Sequence, residues 1–358
     1  MRVWRRHPRR FRRTPNTRRG IAFAHGTRQG FFLINRRSLL TLDLGRVAPV
    51  QRWVRAHRTI MACRFEVALP KEDARHVDAA LEALDEADRL EAALTVFRDT
   101  SELSRINREA AAAPAPASQE LFALLTRCQT LHAETDGAFD ITSTPLSRRW
   151  GFLKRGNREP AACVAEAPTM VVGMNRVRLD PAMRTVSFAV PGLELNLGAI
   201  GKGHAVDRLG AVLRRRGVTR ALVSAGGSSV LAVGGDGRGW TIDVTSPQLD
   251  SRIARMRLRD AALGTSGAGE QYIVADGERH GHVFDPRTGR PSRGVLSASV
   301  VARDAETADA LSTAFLVGGV DLARRYCRSH PQILALIRVD GTTATHVFGS
   351  CHGAQLED

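Results

Sequence analysis

The sequence predicts an α+β fold, with mixed and antiparallel sheets and packed helices. Three observations carry this expectation. Strand-like alternation and helix-like spacing of apolar residues both recur along the chain. They do not alternate strictly, as a doubly wound sheet would require. The 358 residues, 43% hydrophobic and 25% charged, are enough to bury a substantial core in one large domain or two small ones. No internal repeat is present.

In chain order, Thr59 to Leu69 alternates apolar and polar residues among strand formers and predicts a strand. Lys71 to Val96 places Val77, Leu81, Leu84, Ala87, Leu90 and Leu94 at helical spacing. Ala110 to Ser118 reads as an Ala/Pro linker, and Glu120 to Thr135 as a second amphipathic helix. Residues 155–170 predict a loop. Val171 to Leu197 predicts short strands around turns at Asp180-Pro181 and Pro191-Gly192. Gly203 to Arg216 predicts a helix, and Arg220 to Val233 a strand, a glycine turn and a strand. Further strands are expected at Trp240 to Val244, Ile253 to Leu258, Tyr272 to Val274 and Leu296 to Ala302. Ala305 to Val317 predicts a strongly apolar helix, and Tyr326 to Val347 one or two closing strands.

The formal charge of +15 is concentrated at one end. Residues 1–58 hold sixteen arginines and a single acid, Asp43; the other 300 residues balance 36 basic against 36 acidic side chains. We therefore separate a basic leader, 1–55, from a folded domain, 56–350. A domain with no basic excess argues against specific nucleic-acid binding. An anionic membrane surface is a further candidate partner of the leader. Its Asn35-Arg36-Arg37-Ser38-Leu39-Leu40 resembles a twin-arginine export signal, but Asp43 and Arg46 interrupt the apolar stretch that should follow. A disordered basic extension, or a segment preceding the true start, is the alternative, and the compartment stays open between cell envelope and cytoplasm. No run approaches the roughly 18 apolar residues of a membrane span. The five cysteines are scattered and form no C-x-x-C pair, which fits neither a zinc site nor a disulfide framework.

Four segments carry candidate chemistry. In Asn196-Leu197-Gly198-Ala199-Ile200-Gly201-Lys202-Gly203-His204 an apolar strand enters a glycine turn that opens a helix. Free N–H groups at such a turn suit phosphate, with Lys202 adding charge. The spacing matches neither a Walker loop nor a dinucleotide fingerprint, and a plain strand-to-helix turn is the alternative. Ser224-Ala225-Gly226-Gly227-Ser228-Ser229 is a second glycine turn, readable as a tight turn between strands. His282, in His280-Gly281-His282-Val283-Phe284-Asp285-Pro286-Arg287-Thr288-Gly289, is a candidate proton acceptor or a structural histidine. Asp309 and Thr313 share a face of the Ala305–Val317 helix among apolar neighbours. A carboxylate there needs a partner or a cation, and hard oxygen donors suit magnesium; local capping is the alternative.

Together these segments resemble the ApbE family, the FAD:protein FMN transferases, over about Thr59 to His346. Met61-Ala62-Cys63 is similar to the family's Met-Gly-Thr element. Phe97-Arg98-Asp99-Thr100-Ser101-Glu102-Leu103-Ser104-Arg105-Ile106-Asn107 is similar to its aromatic-Arg-Pro-Asp-Ser-Glu-Ile-Ser-x-x-Asn element. Asp136-Gly137-Ala138-Phe139-Asp140-Ile141-Thr142, the glycine-lysine segment, Thr265-Ser266-Gly267, the histidine segment and Ala308-Asp309-Ala310-Leu311-Ser312-Thr313-Ala314 follow in family order. The resemblance implies a T-fold-related architecture with a flavin cleft between two lobes. It implies FAD as substrate, Mg2+ held by Asp309, Thr313 and the Ala199 carbonyl, and His282 and Asp309 as the catalytic pair. Implied flavin contacts are Met61, Phe97, Gly137, Ala138, Phe139, Asn196, Lys202, Thr265, Ser266, His282 and Ser312. Asn196 stands where the family has aspartate, and Gly281 where it commonly has serine. The implied reaction moves FMN to a Ser or Thr hydroxyl of an acceptor protein and releases AMP. Here Ser266-Gly267-Ala268 is followed by Gly269, which has no hydroxyl, so transfer to a separate acceptor is expected over self-modification. Hydrolysis of FAD to FMN and AMP, and flavin binding without catalysis, are the alternative functions.

Overall fold

A computed structural model describes residues 30–33, 39–42, 53–152, 171–235, 237–246, 249–268, 272–275 and 278–357. The expected loop at 155–170 and most of the basic leader lie outside the described residues. The architecture is α+β, and every described strand pair is antiparallel.

The largest sheet has ten strands. Across it run Gly30–Leu33, Leu39–Leu42, Trp53–Ile60, Cys63–Pro70, Ala221–Ala225, Ser229–Val233, Ala261–Gly267, Val295–Ala302, Leu334–Val339 and Thr345–Phe348. Among the described residues six α-helices accompany it: α1 (Val77–Leu94), α2 (Glu102–Glu109), α3 (Gln119–Glu134), α4 (Thr144–Arg149), α5 (Gly201–Arg215) and α6 (Ala305–Ser329). Smaller sheets join Trp240–Ser246, Leu249–Leu258 and Ala354–Glu357, and join Ala115–Pro116, Thr185–Phe188 and Val177–Asp180.

One apolar cluster lies between the helices and the main sheet, where α1 contributes Ala80, Leu84, Ala87 and Leu90 and α6 contributes Leu311, Phe315 and Leu316. Burying side chains of this size stabilises the fold by roughly 1.5–3 kcal/mol each. A second cluster gathers Val230, Trp240, Met256, Leu258 and Leu336. The five-residue strand Ser229–Val233 is buried along its whole length, so it serves both clusters. No helix among the described residues is long and apolar enough to cross a membrane.

Several elements differ from the expectation. The single strand at Thr59 to Leu69 is a hairpin, because Met61 and Ala62 turn the chain with φ of 50° and 59° and pair Ile60 with Cys63. The alternation on either side hides this, since a two-residue turn preserves the period. The first helix begins with a 3-10 segment, Lys71–His76. The closing helix runs twelve residues beyond Val317, across a non-helical Gly319 with φ 72°, so Tyr326 ends a helix and opens no strand. The Ala261–Gly267 strand, α2, α4 and Ala354–Glu357 were not anticipated; the first is too rich in small residues to show a strand period.

Candidate active site

The site is built where α5 and the Ala261–Gly267 strand both press on the first turns of α6. Two glycines permit this. A Cβ on Gly203 would stand 2.7 Å from Asp309 Cβ and closer still to Ala305 O. A Cβ on Gly264 would stand 2.6 Å from Asp309 N and closer still to the Ala308 carbonyl. Helix α6 starts cleanly, because the Asp304 side chain accepts the Thr307 N–H at 2.7 Å.

Asp309 is 2% exposed. A carboxylate buried that deeply is costly unless its oxygens find donors. Oδ1 accepts the Ser229 hydroxyl at 2.9 Å, with Lys202 Nζ at 3.6 Å, and Oδ2 accepts the Gly203 N–H at 3.0 Å. Gly203 is the third residue of α5, whose N–H has no acceptor within the helix; the first intrahelical bond runs from the His204 N–H to the Ile200 carbonyl at 2.9 Å. Asp309 therefore satisfies a donor that the start of α5 leaves over. The N-cap of α5, Ile200, offers no side-chain acceptor to the helix's first N–H groups.

Hydroxyls line the next turn of α6. Ser312 Oγ donates to the Asp309 carbonyl at 2.8 Å, and Thr313 Oγ1 lies 3.4 Å from the same oxygen. Ser266 Oγ shares hydrogen bonds with Ser312 at 2.8 Å and Thr313 at 3.2 Å. Thus Asp309, Thr313, Ser312, Ser266 and Lys202 come together. Thr265 does not join them. Strand alternation turns it to the opposite face, where it bonds Ser299 Oγ at 3.0 Å.

The remaining expected residues lie on other turns and strands. Met61 sits in the left-handed turn described above, where its N–H is held by Glu91 Oε1 at 2.9 Å. Backbone in that region without glycine is strained and persists only when held from outside. Cys63 closes the turn; burial pushes its thiol up, against the pull of Lys202 and with Asp309 and Glu91 adding to the rise. Asn196 Oδ1 accepts the Gly198 N–H at 2.8 Å and so shapes the glycine turn. Ala138 and Phe139 are buried, and their N–H groups donate to the Thr135 carbonyl at 3.0 Å and the Thr135 hydroxyl at 3.1 Å. Gly137 has φ 73°, and a Cβ there would lie 3.7 Å from Arg287 Cγ, so this turn abuts the Asp-Pro-Arg-Thr-Gly turn.

That region is fixed by Asp140, which accepts from Thr142 N–H and hydroxyl and from Met174 N–H, with His132 Nδ1 at 3.3 Å. Burial pulls His132 down, but the hydrogen bond and charge of Asp140 together with the Phe139 carbonyl outweigh it, and its pKa is raised. His282 follows the Glu278–Gly281 strand, half-buried, with its ring edge-on to Phe152 at 6.4 Å. Phe97, between α1 and α2, is 76% exposed.

Sequence reasoning missed Ser229, Glu91 and Gly264, and it read Gly203 only as part of the glycine-lysine turn. Ser229 was visible only as part of a glycine turn, and nothing in Glu91 or Gly264 distinguishes it locally. A cavity of about 870 Å³ is lined by Arg127, Asp207, Arg214, Arg303, Asp304 and Glu306 among others and contains none of the expected site residues. We place the chemistry at Asp309 because donors converge there, which cavity size does not measure.

Among the described residues no group of three or more His, Cys, Asp or Glu side chains stands together as a metal site. The donor set around Asp309 is instead one carboxylate and the neighbouring hydroxyls. It fits a hard divalent cation that completes its shell with phosphate or water oxygens. A carboxylate has about four lone-pair positions, so its present hydrogen bonds leave room.

Comparison with known proteins places the chain within one family. The sequence profile of the ApbE family matches residues 61–337. The chain is 30% identical over 266 residues to the FAD:protein FMN transferase of Klebsiella pneumoniae (strain 342), covering 72% of this chain and 75% of that one. It is 32% identical over 311 residues to the FAD:protein FMN transferase of Treponema pallidum (strain Nichols), covering 81% and 85%. The crystal structure of the ApbE protein from Thermotoga maritima superposes with a TM-score of 0.74 at 29% identity, covering 83% of this chain and 97% of that one. The flavin transferase ApbE from Vibrio cholerae superposes with a TM-score of 0.73 at 26% identity and the same coverage.

Proposed function

The chain belongs to the ApbE family, and from that premise we propose that it transfers the FMN moiety of FAD to a Ser or Thr hydroxyl of an acceptor protein, with Mg2+, releasing AMP. The observation that carries this reading is the buried Asp309 carboxylate, with Lys202 and the uncapped start of α5 on one side and the Ser266, Ser312 and Thr313 hydroxyls on the other.

Asp309, Thr313 and the Ala199 carbonyl would hold Mg2+. When bound, the ion supplies charge neutralisation at the pyrophosphate. Lys202, at the start of α5, would hold phosphate oxygens, which a helix start favours. Phe97 would offer its exposed ring to one of the aromatic systems of FAD. The Met61 turn and the Gly137–Phe139 backbone would line the flavin. His282 would take the proton from the acceptor hydroxyl. That oxygen bonds to the FMN phosphorus, the bond from this phosphorus to the bridging oxygen breaks, and AMP departs with the bridging oxygen and its electron pair.

The test incubates the purified chain with FAD and Mg2+, with and without an acceptor carrying the family's Ser/Gly-Gly-Ala-Thr/Ser target, and follows acceptor mass and AMP. An FMN-sized gain on the acceptor, absent in Asp309→Asn, is expected. AMP without that gain would replace transfer by hydrolysis. FMN covalently attached to this chain after FAD alone would overturn transfer to a separate acceptor.

A further inference from the structure

Helix α5 reaches α6 twice, one turn apart and in opposite senses. Gly203 donates its N–H to Asp309 Oδ2 at 3.0 Å. Four residues on, Asp207 accepts: Oδ1 takes the Ala305 N–H at 2.9 Å and Oδ2 the Glu306 N–H at 2.8 Å. Positions 203 and 207 share one helix face. So α5 supplies a donor to the carboxylate of α6, while α6 supplies two donors to a carboxylate of α5. The contact has no slack, because the Gly203 Cα lies against Ala305 and Asp309 with no space for a Cβ.

Asp304 offers an internal contrast. It is the N-cap of α6 and bonds Thr307 three residues along, closing the helix on itself. With Asp304 in place, α6 already has its capping side chain. Asp207 adds what a cap does not: a fixed depth and rotation of α6 against the start of α5.

We infer that Asp207 is a positioning residue for Asp309, its clasp on Ala305 and Glu306 setting how α6 presents Asp309 and Thr313 to the α5 turn that carries Ala199 and Lys202. The clasp is a contact between helices and stands without a ligand. Its consequence for metal affinity rests on the function proposed above.

The experiment uses the full chain and two readouts. Hydrogen exchange on the metal-free protein reports the Gly203 amide, and electron paramagnetic resonance reports Mn2+ binding. Asp207→Asn turns an N–H2 group toward one of the two donors. Loss of an outer partner of a metal ligand typically weakens metal affinity tenfold or more, so Mn2+ affinity should fall about tenfold, with faster exchange at Gly203. Asp304→Asn should leave both readouts near wild type.

Should Asp207→Asn not fold, Ala305→Pro breaks the clasp from the other side. Proline is tolerated at the first helical position, and Asp304 before it is already extended, with φ −125° and ψ 151°. Unchanged exchange at Gly203 in these variants overturns the clasp. So does Asp304→Asn reproducing both effects, which would reduce Asp207 to a cap. Faster exchange with unaltered Mn2+ affinity overturns the positioning role. If wild type and Asp309→Asn alike bind no Mn2+, the metal reading fails, and the exchange measurement still decides the clasp.

Discussion

The centre and the rim of the candidate site are built on opposite principles. At the centre, Asp309 is 2% exposed and both its oxygens are engaged by groups from α5 and the neighbouring strand, through backbone approaches that leave no room for a methyl group. At the rim, Phe97 is 76% exposed, and its recorded hydrogen bond is its own N–H to Thr95 Oγ1. A preorganised charge site must be fixed before substrate arrives, because reorganisation at the moment of reaction costs rate. A stacking surface gains its partner only with the ligand, so until then it is left to solvent. The contrast teaches that substitutions at the centre should couple stability to activity, and substitutions at the rim should separate them.

Asp309→Asn should have the largest effect. Losing the charge of a metal ligand should lower the transfer rate at least about a hundredfold, since even outer-shell losses cost 10–100-fold. The amide can satisfy only one of Ser229 and Gly203 as the carboxylate does, so stability should fall by about 1–3 kcal/mol in urea unfolding. Undiminished transfer would remove Asp309 from the chemistry. Gly264→Ala should come next. Its Cβ has no space against Ala308 and Asp309. Forcing it in should cost about 1–3 kcal/mol and reduce transfer, although the residue touches no substrate. Phe97→Ala should break the pattern from the other side. Stability should stay within about 0.5 kcal/mol of wild type, while the Kd for FAD rises roughly tenfold, the lower end of what stacking on an aromatic side chain contributes. A matching loss of stability would mean that Phe97 is part of the fold.

The same division governs what the sequence disclosed. The candidate chemistry lies in contiguous segments, so His282, Lys202 and Asp309 could be singled out from local composition and order, and Phe97 through the resemblance of its segment to the family's. The supports could not. Ser229 reaches Asp309 across 80 residues, and Asp207 reaches Glu306 across 99. Gly264 belongs to a strand whose small residues show no period, because its packing against α6 demands smallness in place of alternation. The Met61-Ala62 turn was hidden for a related reason. Its left-handed backbone has no glycine, and the Glu91 side chain that holds it lies 30 residues away. Fold class followed from periodicity. The tightness of the centre is a property of long-range approach, to which periodicity is blind.

The smallest expected effect tests whether the support of the centre titrates while the rim does not. Burial pushes the Asp207 carboxyl up to about 7, against the two backbone N–H groups of α6, with Asp304 and Glu306 adding to the rise. The folded chain then holds this proton more tightly than the unfolded chain does. Its contribution to stability is fully present below the ordinary carboxylate range near pH 4 and is lost as pH rises through about 7. The groups facing it include Arg127, Arg214 and Arg303, which line the same cleft, and His204, which bonds Glu306 at 2.8 Å. Because other ionisable groups share this face, the difference between wild type and Asp207→Asn, and not either curve alone, isolates Asp207. Unfolding free energies measured from pH 4 to 8 should diverge progressively, wild type losing ground relative to Asp207→Asn as pH rises. Parallel curves would mean that Asp207 is already ionised throughout, its charge held by the N–H groups of Ala305 and Glu306. The clasp would then be a permanent anion, and the centre would be as insensitive to pH in this range as the exposed ring of Phe97.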